Sequence, residues 1–154
     1  MADQNDVIQA FERLEAAYQE MEGLVGGEHD HLLAPDWQAL LADQQRRDRL
    51  TAEVKEADLR RQELGKAAGL GPEASWGDLL PGGRESWQNR REALRDCIKR
   101  VQAANEANVR LMREAFDRNE RLIHFLTGAA GEVAYDANGE ERSKDGSGLL
   151  SQRA

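Results

Sequence analysis

Apolar side chains recur in steps of four and three residues along the first part of the chain. They are Val7, Phe11, Leu14, Tyr18, Met21 and Val25. This spacing lines up one face of a helix, whereas a half-buried strand would alternate apolar and polar residues. The pattern predicts a first helix over residues 3–25, which Gly26 and Gly27 would end. A polar link containing the sequence EHDH would follow.

A second helix is predicted over residues 36–68, with Asp36 as its N-cap. Its apolar face would consist of Trp37, Leu40, Leu41, Leu50, Val54, Ala57 and Leu64. Residues 69–83 contain five glycines and two prolines, so they should break the helical pattern. Within this break, Ser75 and Asp78 are spaced as a capping box for one short turn, beside the apolar residues Trp76, Leu79 and Leu80.

The longest helix is predicted over residues 84–127. Its seam again steps by four and three, through Leu94, Ile98, Val101, Asn105, Asn108, Met112, Ala115, Asn119, Leu122 and Leu126. Such a helix would span roughly 65 Å, whereas a compact domain of this length has a radius of gyration of about 15 Å. The sequence therefore predicts an all-α fold, an elongated antiparallel bundle of three long helices with coiled-coil-like packing.

The last part of the chain, residues 128–154, is polar and has few aliphatic side chains. It cannot bury enough apolar surface to offset its conformational entropy, so disorder is predicted. We therefore divide the chain into a helical bundle domain, residues 1–127, and a flexible partner-binding tail, residues 128–154. Tyr135, Leu149 and Leu150 are isolated apolar anchors within that tail.

The overall charge and composition narrow the class of protein. The formal net charge is −8, and 32% of the residues are charged. An acidic chain lacks the basic footprint that nucleic-acid binding needs. We find no secretory signal and no apolar run long enough to cross a membrane, so a cytoplasmic protein without membrane insertion is expected.

Candidate catalytic chemistry is sparse. His29 and His31 could contribute to a metal site, but a closed zinc site needs three or four ligands at defined spacing. Cys97 lies on the same predicted helix as His124, about 40 Å away at helical rise, so the two cannot form a nucleophile–base pair. No nucleotide-binding motif is present. We therefore predict a protein that is not an enzyme and needs no cofactor.

The third predicted helix holds the best candidates for partner binding. Asn105 and Asn108 occupy seam positions where Leu or Ile would be expected. They could be solvated on a drifting stripe, or they could leave the helix incompletely satisfied and ready to bind another helix. Around them lie more apolar side chains than one seam needs: Leu111, Met112, Phe116, Ile123 and Phe125. These could complete a core or form a patch for a partner helix.

Three sequence elements occur in an order that resembles a known family. They are DWQALL at 36–41, NEANVRLM at 105–112 and YDANG at 135–139. This order, together with the length and the polar tail, resembles the FlgN family of flagellar export chaperones. The resemblance covers nearly the whole chain, although residues 69–83 are less characteristic.

The resemblance implies a cytoplasmic, non-enzymatic chaperone for the hook-associated proteins that join hook to filament. Such a chaperone would bind their C-terminal helical segments, prevent premature assembly and deliver them to the flagellar type III export gate. Tyr135 matches the tail tyrosine that is linked to docking on the gate membrane protein. The predicted partner-binding residues are Asn105, Asn108, Leu111, Met112, Phe116, Ile123, Tyr135, Leu149 and Leu150. The alternative is a homo-oligomeric coiled-coil scaffold or adaptor.

Overall fold

The computed structural model describes residues 3–34, 36–135 and 141–143, although not the side chains of 83, 84, 129–135 and 141–143. The elements are α1 (Gln4–Leu33), α2 (Trp37–Ala67), α3 (Trp76–Leu79), α4 (Gly83–Ser86), α5 (Gln88–Glu132), β1 (Val133–Tyr135) and β2 (Glu141–Ser143). The chain forms two compact units, Met1–Val109 and Arg110–Ala154, and the division falls within α5.

The prediction of a helical protein is confirmed, but the prediction of three helices was incomplete. The three long predicted helices correspond to α1, α2 and α5, and the four-residue helices α3 and α4 lie between the last two. The capping box at Ser75 and Asp78 starts α3, as predicted. The helix predicted to begin at residue 84 is interrupted at Trp87, whose indole Nε1 donates a hydrogen bond to the carbonyl of Pro81 at 2.9 Å.

The predicted end of α1 at Val25 was wrong. The helix continues through Gly26 and Gly27 to Leu33, so the sequence EHDH is helical and not part of a link. Contacts with other helices explain this, because Val25 is fully buried and Glu28 is 8% exposed. Packing of this kind outweighs the weak helix propensity of two glycines.

The two ends of α2 follow from local chemistry. The Asp36 carboxylate accepts hydrogen bonds from the backbone N–H groups of Gln38 and Ala39, so the predicted N-cap is confirmed. After α2, Gly71 has a φ of 82°, a left-handed conformation that favours glycine. A Cβ on Gly65 would collide with the Gly71 carbonyl oxygen, so this turn packs directly against the last part of α2.

The main core of the unit Met1–Val109 is built around Phe11, which is fully buried. Its ring makes edge-to-face contacts with Trp76 at 5.6 Å and with Trp87 at 6.0 Å between centroids. The other buried members of this cluster are Val7, Ala10, Leu14, Ala57, Leu64, Leu80 and Leu94. The core therefore joins α1, α2 and α5 with the short segment around α3, where an apolar plug was predicted.

In the unit Arg110–Ala154, α5 extends to Glu132, beyond the predicted end at Thr127. The strands β1 and β2 then pair antiparallel, with Val133 opposite Ser143 and Tyr135 opposite Glu141. These residues have secondary structure where a disordered tail was expected. Residues 136–140 and 144–154, which include Leu149 and Leu150, lie outside the described residues.

Candidate partner-binding surface

A row of exposed apolar side chains follows one face of α5 within the unit Arg110–Ala154. We call it the C-terminal stripe, and it consists of Met112, Phe116, Leu122, Ile123 and Leu126. Each of these side chains is between 50% and 69% exposed. Positions four, three and seven residues apart lie on the same side of a helix, so the row is continuous. Contiguous apolar surface of this kind is typical of a site for a protein partner.

The predicted residue Leu111 lies beside this stripe and is half-buried. Phe125 is also exposed, at 71%, but its position on the helix lies away from Ile123. Asn119 is exposed and falls within the row, between Phe116 and Ile123. Three of the residues predicted to bind partners, Met112, Phe116 and Ile123, are thus exposed members of the C-terminal stripe.

Asn108 has a different environment, within the unit Met1–Val109. Its side chain is 4% exposed, its Nδ2 donates to the Val25 carbonyl at 2.9 Å, and its Oδ1 contacts His29 Nδ1 at 3.1 Å. The Asn108 oxygen can only accept, so this His29 nitrogen is the donor. Asn108 is therefore neither solvated nor unsatisfied, but connects α5 to the last part of α1.

Asn105 takes part in a neighbouring contact. Its Oδ1 accepts from Arg47 Nη1 at 2.9 Å, and the same guanidinium forms a two-pronged ion pair with Glu28, in which Arg47 Nε donates to Glu28 Oε1 at 3.0 Å. We call Glu28, His29, Arg47, Asn105 and Asn108 the polar clasp. Because it joins α1, α2 and α5, both asparagines are already used within their own unit.

Sequence reasoning missed Glu28 and Arg47. Glu28 was assigned to a polar link, and Arg47 lies in the stretch DQQRRD of the second predicted helix, which contains no apolar residue. The signal that could have found them is the gap in the apolar face of α2 at this stretch. Where charged residues occupy positions at which a buried apolar face is expected, they need a polar or oppositely charged partner on the neighbouring helix, because a buried charge must be paired.

The two histidines of EHDH are occupied by separate partners. His31 Nδ1 lies 2.6 Å from an Asp43 carboxylate oxygen, whereas His29 contacts Asn108. The hydrogen bond to Asp43 raises the pKa of His31, and the nearby carboxylates of Asp36 and Asp30 act in the same direction. In the described part of the chain, no group of three or more His, Cys, Asp or Glu side chains could hold a metal ion.

Cys97 is a buried thiol on the inner face of α5. Its Sγ contacts the Tyr18 carbonyl at 3.5 Å and a Glu22 carboxylate oxygen at 3.3 Å. Burial raises the pKa of Cys97, and the Glu22 carboxylate raises it further. Since the thiolate is the reactive form, this environment favours an unreactive packing residue.

The FlgN protein family has a sequence model that matches residues 1–143 of the chain. The chain belongs to the FlgN family. The match includes the C-terminal stripe and Tyr135, whose backbone lies in β1, and it ends before Leu149 and Leu150. The predicted resemblance is thereby confirmed. No curated protein and no solved structure matches the chain.

Membership of the FlgN family indicates the general function of the protein. Proteins of the FlgN family are flagellar export chaperones and not enzymes. None of the helices in the described residues is long and apolar enough to cross a membrane. Of the residues predicted to bind partners, Leu111, Met112, Phe116 and Ile123 follow one another along α5 in the second unit. Asn105 and Asn108 belong to the polar clasp in the first.

Proposed function

We propose that this protein is a flagellar type III export chaperone that binds hook-associated proteins through their C-terminal helical segments. Binding in the cytoplasm keeps these proteins from assembling prematurely. The chaperone then delivers them to the export gate. FlgN membership supports the chaperone role. The observation that carries the proposal is the C-terminal stripe, an exposed apolar face on a long helix, which fits another amphipathic helix.

The stripe has the spacing that helix-on-helix packing needs. Steps of four and three residues present side chains that insert between those of a partner helix. Burying each large apolar side chain contributes roughly 1.5–3 kcal/mol before the costs of association. Asn119, within the row, would disfavour registers that bury it without a partner, so it would help to set the alignment of the bound helix.

The tail residues have a second role in the proposal. Tyr135 would contact the membrane protein of the export gate, as the family resemblance implies, and Leu149 and Leu150 would be further apolar anchors. A contact made through one tyrosine and two leucines buries a small area, so its affinity would be moderate. Moderate affinity suits a chaperone that must release its cargo.

Isothermal titration with the C-terminal helical segments of hook-associated proteins tests the cargo site. We compare the full chain, a chain that ends after Glu132, and the double variant Met112→Asp/Phe116→Asp. The matched control is Leu59→Asp, since Leu59 is a 60% exposed leucine on α2. We expect the double variant to lose at least tenfold in affinity and the control to bind like the unaltered chain.

The remaining outcomes decide the role of the tail and test the alternative function as a homo-oligomeric scaffold. Loss of binding on truncation would place cargo contacts in the tail, and undiminished binding would leave the tail for the gate. Equal binding by the double variant and the control would remove the stripe as the cargo site. If no variant binds cargo and light scattering finds a stable dimer that the double variant disrupts, the homo-oligomeric scaffold is the better description.

A further inference from the structure

A cleft of about 570 Å³ lies within the unit Met1–Val109, and α1, α2, α3 and α5 all contribute side chains to its lining. This volume falls in the range of sites that bind small organic groups. No residue of the C-terminal stripe or of the polar clasp lines it. The cleft is therefore separate from both features described above.

The inner surface of the cleft is apolar. Phe11, Leu14 and Leu94 belong to the buried core, and the half-buried Val54 and Ile98 pack against that core. Apolar and aromatic side chains dominate the lining of most ligand sites, whereas a few polar groups fix the orientation of the ligand. The cleft therefore suits the apolar body of a ligand, and its polar side chains decide which charge that body carries.

Contacts within the fold fix two sides of the cleft. Arg61 Nε donates to an Asp58 carboxylate oxygen at 2.9 Å, and Arg61 Nη1 donates to the Pro72 carbonyl at 3.1 Å, so α2 is tied to the turn that follows it. On the other side, a Cβ at Gly77 would lie only 2.6 Å from Arg91 Cζ. Only glycine leaves room for that guanidinium. The shape of the cleft is therefore set without a ligand.

Two hydrogen-bond donors in the lining are not used by the fold. Arg95 is exposed and forms no ion pair within the part of the chain that the structure describes. The Tyr18 hydroxyl donates to no other described residue. Burial raises the pKa of Tyr18, and the nearby Cys97 and Asp58 act in the same direction, so the hydroxyl keeps its proton and remains a donor at neutral pH.

The charges of the lining favour an anion. Three guanidinium groups line the cleft against two carboxylates, those of Asp58 and Glu73. Asp58 already accepts hydrogen bonds from Arg61 and Gln62, and Glu73 is exposed to solvent. In a protein with a net charge of −8, this is a local excess of positive charge beside an apolar surface. A carboxylate can accept from a guanidinium and from a hydroxyl at the same time.

We propose that this cleft binds a bulky apolar group that carries a carboxylate. The apolar group lies against Phe11, Leu14 and Leu94, and the carboxylate accepts from Arg95 and Tyr18. Two sources have this chemistry: a free organic acid, and an apolar residue beside an acidic one in a protein partner. The site itself does not depend on the proposed chaperone function, whereas its use by cargo would rest on that function.

NMR titration of the full chain with two matched probes tests the site. N-acetyl-tryptophan carries an indole and a carboxylate, and N-acetyl-tryptophanamide carries the same indole without the charge. We expect the acid to bind with a dissociation constant of roughly 0.1–1 mM, as its size allows. It should shift backbone amides of residues 11–18 and 91–98. The amide probe should bind about tenfold more weakly, because it lacks the charged acceptor.

Variants of the two donors separate the roles of charge and hydrogen bonding. Arg95→Gln should weaken binding of the acid about tenfold and leave the amide probe unchanged, and Tyr18→Phe should weaken binding of the acid about fivefold. Arg113→Gln is the matched control, since Arg113 is an exposed arginine of α5 that does not line the cleft. Equal binding of the two probes, an unaltered affinity in Arg95→Gln, or no shifts in the cleft would overturn the proposal.

Competition with the C-terminal helical segment of a hook-associated protein identifies the source of the carboxylate. Displacement of the acid probe by this segment, but not by a copy with its acidic residues changed to amides, would assign the carboxylate to cargo. Cargo binding without displacement would assign it to a free acid, and the site stands in both cases. If the probe binds but cargo does not, the proposed function fails while the site stands.

Discussion

At the scale of single residues, the structure separates apolar side chains that stabilise the fold from those that remain available to a partner. Phe11 is fully buried between Trp76 and Trp87, and the Arg90 guanidinium lies 5.7 Å from the centre of its ring. Phe116 is the same type of residue at 69% exposure. Residue type alone does not tell a core phenylalanine from an exposed one, because Phe11 lies in the apolar seam of its helix and Phe116 lies beside the seam of another.

This difference predicts opposite results for the same substitution. Phe11→Ala should lower the free energy of unfolding by about 3–5 kcal/mol, since it leaves a cavity among the two tryptophans. Phe116→Ala should change it by less than about 0.5 kcal/mol, because the side chain is exposed. Urea denaturation followed by circular dichroism measures both. A comparable loss in the two variants would show that Phe116 is part of the core.

His31 makes the stability of the first unit depend on pH. Its pKa is raised above the usual value by the hydrogen bond to Asp43, so folding favours the protonated form. This contribution is fully present below the unfolded pKa of about 6.5 and is lost as pH rises through the folded pKa. The unfolding free energy of the unaltered chain should therefore fall over that window. His31→Gln should flatten the profile, and a profile identical to that of the unaltered chain would exclude this role.

At the scale of elements, helix starts set by a side-chain cap were easier to predict than the end of α1. The Asp36 cap and the Ser75–Asp78 capping box depend on residues two or three positions away, so the sequence contains all of the relevant chemistry. The end of α1 depends instead on Arg47 and Asn108, which lie on other helices. The local sequence pattern cannot show that contacts with distant parts of the chain outweigh the low helix propensity of two glycines.

The Asp36 cap gives a test at this scale. Asp36→Ala leaves the N–H groups of Gln38 and Ala39 without their side-chain acceptor, so it should cost about 1 kcal/mol of unfolding free energy. Asp36→Asn should retain most of the stability because an amide oxygen can accept the same bonds. Thermal and urea unfolding of the two variants would check this. Equal losses would indicate that the charge, not the acceptor, matters.

The long helix α5 shows another limit of sequence reasoning. Leu94 and Val101 are buried, whereas Met112 and Leu122 are exposed, yet all four lie in the same predicted seam. The period predicts which face is apolar, but it does not say which part of that face is covered. The candidate site could therefore be assigned to α5 from sequence, while the burial of Asn108 and the exposure of Phe116 needed the structure.

At the scale of the whole molecule, the net charge of −8 does not show how the acidic and basic side chains that form ion pairs are distributed among the helices. Carboxylates of α1 pair with arginines of both other long helices. The pairs are Glu20 with Arg46 and Arg49, Asp6 with Arg60, Glu15 with Arg90, and Glu22 with Arg100. Each pair is too exposed to add much stability, but together they disfavour arrangements that bring like charges together.

A charge-exchange experiment tests this description. Glu20→Arg and Arg46→Glu should each destabilise the protein, because each places like charges near one another at the α1–α2 contact. Combining them should recover a coupling energy of about 0.2–1 kcal/mol, typical of exposed pairs. Urea unfolding of the double-mutant cycle provides the measurement. Strict additivity would mean that the pair does not help to align the helices.

The exposure of the C-terminal stripe has an evolutionary consequence. Because Met112, Phe116 and Ile123 are exposed, substitutions there cost little in folding. Under the proposed function, selection would then act on these residues through cargo binding alone. The stripe can therefore change together with a cargo helix without compensating changes in the Phe11 core. Within one lineage, the stripe and the core can therefore diverge at different rates, although α5 contributes residues to both.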